Sequence, residues 1–314
     1  MSMTLGVEVY GLRGESHLLY AASYAHSMLS NRCNVLLCDV DGHIDSAIRD
    51  APWLQRLGAG IEIVESLPAS LDRVDRAYIG SPSIRRVFDR ERPRPPARSV
   101  ILDEGLGSYG SIRARYRALC REGSSTFSAF ARATVRSATI AVTPKWRWRT
   151  YELTKQGWVI NEAIARAFRA AAEPASTSDR IVLLTQPWVE LGLVNETELL
   201  SKIGCIADAA EAAGLELLVC SHPWERVQRY DDFKTLRRLG PSELQAAVIG
   251  ARLVVGETST ALLNLSAIFG VSSIRVSGLT AGVPLSATQR ELLDHFVGQP
   301  VSIRSLVAEF RRLT

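Results

Sequence analysis

The chain has 314 residues, of which 46% are hydrophobic and 22% charged, and a formal net charge of +4. This length accommodates two domains of about 150 residues each, and the composition fits a globular protein with a buried core rather than a disordered or fibrous one. Mild, dispersed charge does not argue for nucleic acid; it suits attraction to anionic substrates or to a membrane surface.

The odd number of cysteines, Cys33, Cys38, Cys120, Cys205 and Cys220, lie mostly in apolar runs. They read as buried thiols in a reducing compartment. Cys33 and Cys38 are too far apart for a C-x-x-C pair, and no Cys/His pairing completes a zinc site. Met1 to Glu8 lacks a basic start followed by an apolar core, and no run approaches about 18 apolar residues. The expectation is a cytoplasmic protein without resident metal or cofactor, peripheral at most to the inner face of the cell membrane.

Leu5 to Tyr10 predicts a strand and Ser16 to Leu29 a helix, joined by the turn Gly11-Leu12-Arg13-Gly14. Asn34 to Asp39, Gly60 to Val64, Arg76 to Ile79 and Ser99 to Leu102 predict four further strands. Strands alternating with helix-length segments imply βαβ units and a mostly parallel sheet. Arg92-Pro93-Arg94-Pro95-Pro96 predicts a stiff exposed connector, and the basic stretch from Arg85 to Arg98 a solvated face. Residues 111–173 predict helix with less regular patterning, and Glu173 to Ser178 a polar linker. Alternation then restarts with strands at Ile181 to Leu184, Leu215 to Cys220, Leu253 to Val255 and Ser273 to Val276. Helices are predicted over Glu196 to Ala213, Thr260 to Phe269 before Gly270, Thr288 to Val297 and Ile303 to Leu313. The expected fold is α/β of GT-B type: two Rossmann-like domains, residues 1–173 and 179–314, facing a central cleft.

Open α/β sheets bind ligands at the carboxyl ends of their strands, and that is where the chemistry-bearing residues fall. Asp103-Glu104-Gly105 follows a strand. A carboxylate there could deprotonate an attacking hydroxyl, and the Gly lets backbone approach a ligand; the alternative is a polar turn. His222-Pro223 follows another strand, where an imidazole could bond a phosphate or assist a leaving group; the alternative is a satisfied His in a Pro turn. Gly256-Glu257-Thr258-Ser259-Thr260 opens a helix, whose unpaired N–H groups favour an anion; the alternative is a plain N-cap. Thr185-Gln186-Pro187 could line the same crevice, and His17 is a further candidate. If the strands ending at Cys220 and Val255 are sheet neighbours, His222 and Ser259-Thr260 converge on one anion. Lys145-Trp146-Arg147-Trp148-Arg149, with Trp158, suits sugar stacking, an anionic acceptor or a headgroup layer, or equally inter-lobe packing. Walker, G-x-G-x-x-G, H-E-x-x-H and G-x-S-x-G patterns are absent from the sequence.

Taken in order, Asp103-Glu104-Gly105, His222-Pro223 and Ser259-Thr260 resemble the acid-acid-Gly, His-Pro and Ser-Ser/Thr signatures of bacterial sialyltransferases and polysialyltransferases. The Thr185-Gln186-Pro187 turn is similar to one in the lipooligosaccharide sialyltransferase branch. The resemblance spans the chain as architecture and about ten residues in identity. It implies a GT-B fold, a CMP-activated nonulosonic acid donor, inversion at the anomeric carbon, no catalytic metal, and a glycan or glycolipid acceptor bound by the first domain. It assigns the general base to Asp103, with Glu104 beside it. His222 takes the phosphate contact, and Ser259 with Thr260 hold that phosphate. The rival readings are a GT-B transferase using CMP-Kdo or a UDP-sugar, a catalytically silent nucleotide-sugar-binding protein, and a nucleotide-sugar epimerase.

Overall fold

A computed structural model of the chain describes residues 3–29, 33–44, 46–58, 60–80, 97–121, 123–142, 147–280, 282 and 285–313. The Arg92 to Pro96 connector and the Lys145-Trp146 end of the aromatic–basic run lie outside the described residues. The chain divides into two compact units, Met1–Ala172 and Glu173–Thr314. The boundary falls at Glu173 because that residue is tied forward. Its N–H donates to Leu244 O at 2.9 Å, and its carboxylate accepts from Ala246 N at 3.0 Å.

In the first unit, strands β1 (Met3–Tyr10), β2 (Cys33–Asp39), β3 (Ile61–Val64), β4 (Val74–Ile79), β5 (Arg98–Leu102) and β6 (Arg147–Trp148) form one sheet. Its order is β3-β2-β1-β4-β5-β6 and every pairing is parallel. Leu5, Val7 and Val9 of β1, with Val35, Ala77 and Val100 of its neighbours, are buried. Covering of both faces is what makes such strands read as near-continuous apolar runs. Helix α1 (Glu15–Leu29) lays Leu18, Leu19 and Ala22 into this core. The short helices α2 (Ser46–Arg49) and α3 (Pro52–Arg56) lead to β3, and α4 (Ile112–Arg121) and α5 (Thr126–Val142) form a helical hairpin after β5.

Residues 147–171 are less helical than predicted: β6 is followed by an antiparallel hairpin, β7 (Tyr151–Thr154) with β8 (Gly157–Ile160), and only then by α6 (Glu162–Ala171). Asn161 caps α6, its side chain accepting from Ala163 N, a contact worth about 1 kcal/mol. Tyr20 of α1 meets Phe168 of α6 with ring centroids 5.4 Å apart.

In the second unit, β9 (Ser178–Leu184), β10 (Glu216–Cys220), β11 (Ala251–Gly256), β12 (Ser273–Ser277) and β13 (Val301–Ser302) form a parallel sheet of order β10-β9-β11-β12-β13. Alternate residues go to opposite faces. Ile181, Leu183, Val219, Leu253 and Val255 pack with Leu199, Ile203 and Ile206 of α7 (Glu196–Glu211) and with Leu306 and Phe310 of α11 (Leu306–Leu313). Val182, Leu184, Cys220 and Val254 pack with Val248 of the one-turn α8 (Ala246–Ile249) and with Leu262 and Leu265 of α9 (Thr260–Phe269). Each such fully buried aliphatic side chain contributes roughly 1.5–3 kcal/mol. Helix α10 (Ala287–Phe296) carries a full capping box, with Ser286 and Gln289 bonding each other's backbone. Among the described residues no helix is long and apolar enough to cross a membrane. Cys38 and Cys220 are buried thiols as expected, whereas Cys205 on α7 is exposed.

Candidate functional site: the carboxyl ends of two parallel sheets

Each sheet has a point where the chain reverses its direction of travel: between β1 and β4 in the first unit, and between β9 and β11 in the second. Ligand crevices of open α/β sheets open outside the carboxyl ends at such points. The Asp103-Glu104-Gly105, His222-Pro223, Gly256 to Thr260 and Thr185 to Pro187 segments stand at carboxyl ends, with His17 in the helix turn after β1, but they differ in what they face.

In the second unit, β10 and β11 are not neighbours, because β9 pairs with both. Their ends are therefore two strand spacings, about 10 Å, apart, and the sheet alone does not bring His222 to Ser259. The loop after β10 is instead tied to the end of β9. Glu225 is 7% exposed, and its Oε2 accepts from His222 N at 2.7 Å as well as from the Thr185 hydroxyl at the end of β9. Its Oε1 accepts from the Tyr230 hydroxyl at 2.6 Å. One carboxylate thus draws the His222 loop over the end of β9, toward the reversal point. Sequence reasoning missed Glu225; its only signal was an acid three residues after the His.

The His222 Nδ1 accepts from Trp224 N at 3.3 Å. Burial, with Arg238 adding to it, holds the imidazole down to about 4. At pH 7 the ring is therefore neutral and, with Nδ1 accepting, carries its proton on Nε2 as a hydrogen-bond donor. Trp224, 60% exposed, meets this ring edge-on at 5.7 Å and is a second residue the sequence did not flag. Pro223 is exposed.

At the end of β11, Ser259 caps α9, its Oγ accepting from Ala261 N at 3.1 Å. The capping reading of this segment is thus correct, and the helix N-terminus it fixes keeps its anion-favouring dipole. Thr258 and Thr260 are half-buried. Glu257 faces inward instead: both carboxylate oxygens accept from the Thr280 hydroxyl, at 3.1 and 3.0 Å, and burial pushes its carboxyl up. It anchors Thr280 rather than offering a surface to phosphate. Gln186 is half-buried, its Nε2 donating to Thr185 O at 3.1 Å.

In the first unit the acid pair splits. Asp103 is 1% exposed. Its Oδ2 accepts from the Tyr109 hydroxyl at 2.8 Å and from Thr150 N at 3.0 Å, which fastens the β7 hairpin to the end of β5. Its Oδ1 is buried with no hydrogen-bond partner among the described residues. Burial raises this carboxyl, against the hydrogen bonds that Oδ2 accepts. Glu104 is only half-buried. Gly105 turns the corner after it at φ 85°, a left-handed conformation that favours glycine. The Glu104 carboxylate then lies over Gly80 at the carboxyl end of β4, where a Cβ would collide with it. Gly80 sits beside the β1–β4 reversal point. His17, in the first turn of α1 after β1, comes from the other side of that point. Its Nδ1 is buried with no hydrogen-bond partner among the described residues, and burial, then Arg13, lowers the imidazole to about 4.

The aromatic–basic run resolves toward packing: Trp148 donates its indole N–H to Ser23 Oγ at 2.9 Å, and Trp158 is buried edge-on to Tyr109 at 6.1 Å. Trp158 is thus enclosed, whereas Trp148 is half-buried and lines a cavity with Tyr24, Arg98 and Arg147.

No protein-family model and no curated protein matches the sequence. Among solved structures, LpCGTa in complex with UDP is similar over 99% of this chain and 90% of its own, with TM-score 0.54 at 10% identity. The glycosyltransferase SnogD from Streptomyces nogalater aligns over 100% and 95%, with TM-score 0.44 at 12% identity. The E. coli heptosyltransferase WaaC with ADP aligns over 98% and 100%, with TM-score 0.41 at 12% identity. At such identities the likeness is one of fold. Two Rossmann-like units, each built on a parallel sheet with a reversal point, make this a GT-B fold.

Proposed function

We propose that this chain is an inverting, metal-independent glycosyltransferase that moves a sialic acid or related nonulosonic acid from a CMP-activated donor to a glycan or glycolipid acceptor. The observation that carries the reading is the neutral His222 of the His-Pro signature, drawn by Glu225 over the end of β9, on the same sheet as the Ser259-Thr260 helix terminus. The GT-B likeness to a protein solved with UDP supports a nucleotide-linked donor.

In this proposal the base role that the sequence resemblance gives to Asp103 passes to Glu104, the acid of the pair that is not enclosed. Glu104 takes the proton of the acceptor hydroxyl as its oxygen bonds the anomeric carbon. The bond from that carbon to the phosphate oxygen breaks, and CMP leaves with the electron pair. Its phosphate accepts from His222 Nε2–H and from the N-terminus of α9, donors already oriented before charge develops. Direct displacement needs only this base and this stabilised leaving group.

Calorimetry with CMP, UMP and CDP tests the donor class, and CMP should bind most tightly. A charge-assisted hydrogen bond contributes on the order of 1.5–3 kcal/mol. His222→Ala should therefore weaken CMP roughly ten-fold or more and leave cytidine, which lacks the phosphate, nearly unchanged. Equal losses for CMP and cytidine would remove His222 from the phosphate. Transfer should also survive exhaustive chelation; activity abolished by EDTA and restored by Mg²⁺ or Mn²⁺ would end the metal-independent reading.

A further inference from the structure

The positive charge of this chain is not dispersed, as its small total suggests. Residues 106–150 hold eight arginines, one lysine and a single acid, Glu122, while the whole chain sums to +4. The remainder is therefore net acidic in sum, although Arg85 to Arg98 forms a second basic stretch, and the larger excess of positive charge lies in the α4–α5 hairpin and the segment after it.

That hairpin also exposes aromatic surface. On α5, Phe127 is 85% and Phe130 58% exposed, while Ala129 and Ala133 are buried against Leu119 of α4. On α4, Ile112 is 46% exposed, and Tyr116 meets Phe130 edge-on at 6.4 Å, so the apolar surface crosses both helices. Arg113, Arg117 and Arg121 recur every four residues along α4. They lie about 100° around the helix from Ile112 and Tyr116. Long arginine stems can lie along apolar surface while their heads reach outward. An exposed Phe pair offers a polar ligand no hydrogen bond and costs free energy while it faces water. Beside an arginine row, with no acid on either helix, it has the composition of a helix pair that rests in a lipid interface.

We propose that the α4–α5 hairpin docks on an anionic lipid bilayer, with Phe127 and Phe130 entering the headgroup–acyl boundary and the α4 arginines meeting the lipid phosphates. This surface would hold the enzyme where a lipid-linked acceptor is found, and it stands or falls independently of the donor sugar.

Vesicle flotation tests it with two lipid compositions, phosphatidylcholine alone and phosphatidylcholine mixed with phosphatidylglycerol. The chain should float only with the anionic vesicles and be released by high salt. At about five-fold per arginine near a charged surface, Arg113→Gln/Arg117→Gln/Arg121→Gln should weaken binding on the order of a hundred-fold. Phe127→Ala/Phe130→Ala should weaken it roughly ten-fold or more. Both variants should retain wild-type thermal unfolding and CMP affinity, which separates lost docking from lost folding. Absence of flotation, equal flotation with the neutral vesicles, or undiminished flotation of both variants would overturn the proposal. So would a wild-type dimer that Phe127→Ala/Phe130→Ala dissociates, since the face would then belong to a second copy. Binding to soluble heparin unaffected by the Phe variant, without flotation, would assign it to a polyanion instead.

Discussion

Replacing Glu104 by Gln should lower the transfer rate by roughly 10²–10⁴, the usual effect of losing a positioned base, with CMP affinity unchanged. Asp103→Asn should keep turnover within a few fold. An amide oxygen can accept from Tyr109 and Thr150 as Oδ2 does now, and the amide nitrogen would occupy the place of Oδ1, which has no partner among the described residues. The substitution also removes a carboxyl whose charged form burial disfavours. Asp103→Leu is the contrasting case, because it takes the acceptor from the buried Thr150 N–H, at about 1–3 kcal/mol, while the Tyr109 hydroxyl keeps only its bonds to Tyr151. Turnover with several acceptors, measured beside thermal unfolding, separates the three variants. If Asp103→Asn is dead yet folded while Glu104→Gln turns over, Asp103 is the base and must be uncovered during the cycle. If both retain turnover, His17→Gln becomes the deciding variant, since its imidazole stands on the other side of the same reversal point.

What the sequence made legible follows from periodicity. Buried parallel strands read as apolar runs, so β1, β2, β5, β10 and β11 were found within a few residues of their limits. Gly270 marked the end of α9 because its φ of 67° suits glycine. Pairing was not legible, since no local pattern in Leu215 to Cys220 or Leu253 to Val255 says that β9 lies between them. The β7–β8 hairpin was hidden inside a basic and aromatic stretch whose indoles drew attention as ligands. Burial at the acid pair could not be read either. Alternation ends at Leu102, and no local pattern says that Asp103 turns in while Glu104 lies over Gly80. Glu225 escaped notice because its partners, Thr185 and Tyr230, lie 40 residues before it and 5 after it, and only the folded sheet collects them.

The largest stability effect should come from Glu225→Ala. The Glu225 carboxylate serves three donors, the Thr185 and Tyr230 hydroxyls and the His222 N–H, and Arg229 lies 3.8 Å from its Oε1. Thr185 and Tyr230 are both buried. Arg229 keeps Glu190 at 2.7 Å and Glu196 at 3.0 Å, so its charge stays paired. The Thr185 hydroxyl would keep only Cys220 O, at 3.4 Å, and the bonds lost by Tyr230 and His222 N with a loosened loop should together cost about 3–5 kcal/mol. The same change releases His222 from the end of β9, so CMP affinity should fall with stability. Trp224→Ala, by contrast, removes an exposed ring and should leave the unfolding temperature in place. Glu225→Gln adds a pH signature. Burial raises the Glu225 carboxyl in the fold, despite the bonds from Thr185, Tyr230 and His222 that oppose it. A raised folded value means the folded chain holds the proton more tightly. Its contribution is then fully present below the ordinary carboxylate value and lost as pH rises through the raised one. Glu225→Gln, which cannot ionise, should show a shallower loss of stability over that rise than wild type. Denaturant unfolding across pH, with CMP binding measured on the same samples, reads both effects. If Glu225→Ala unfolds like wild type and binds CMP normally, the carboxylate neither braces this end of the sheet nor positions His222.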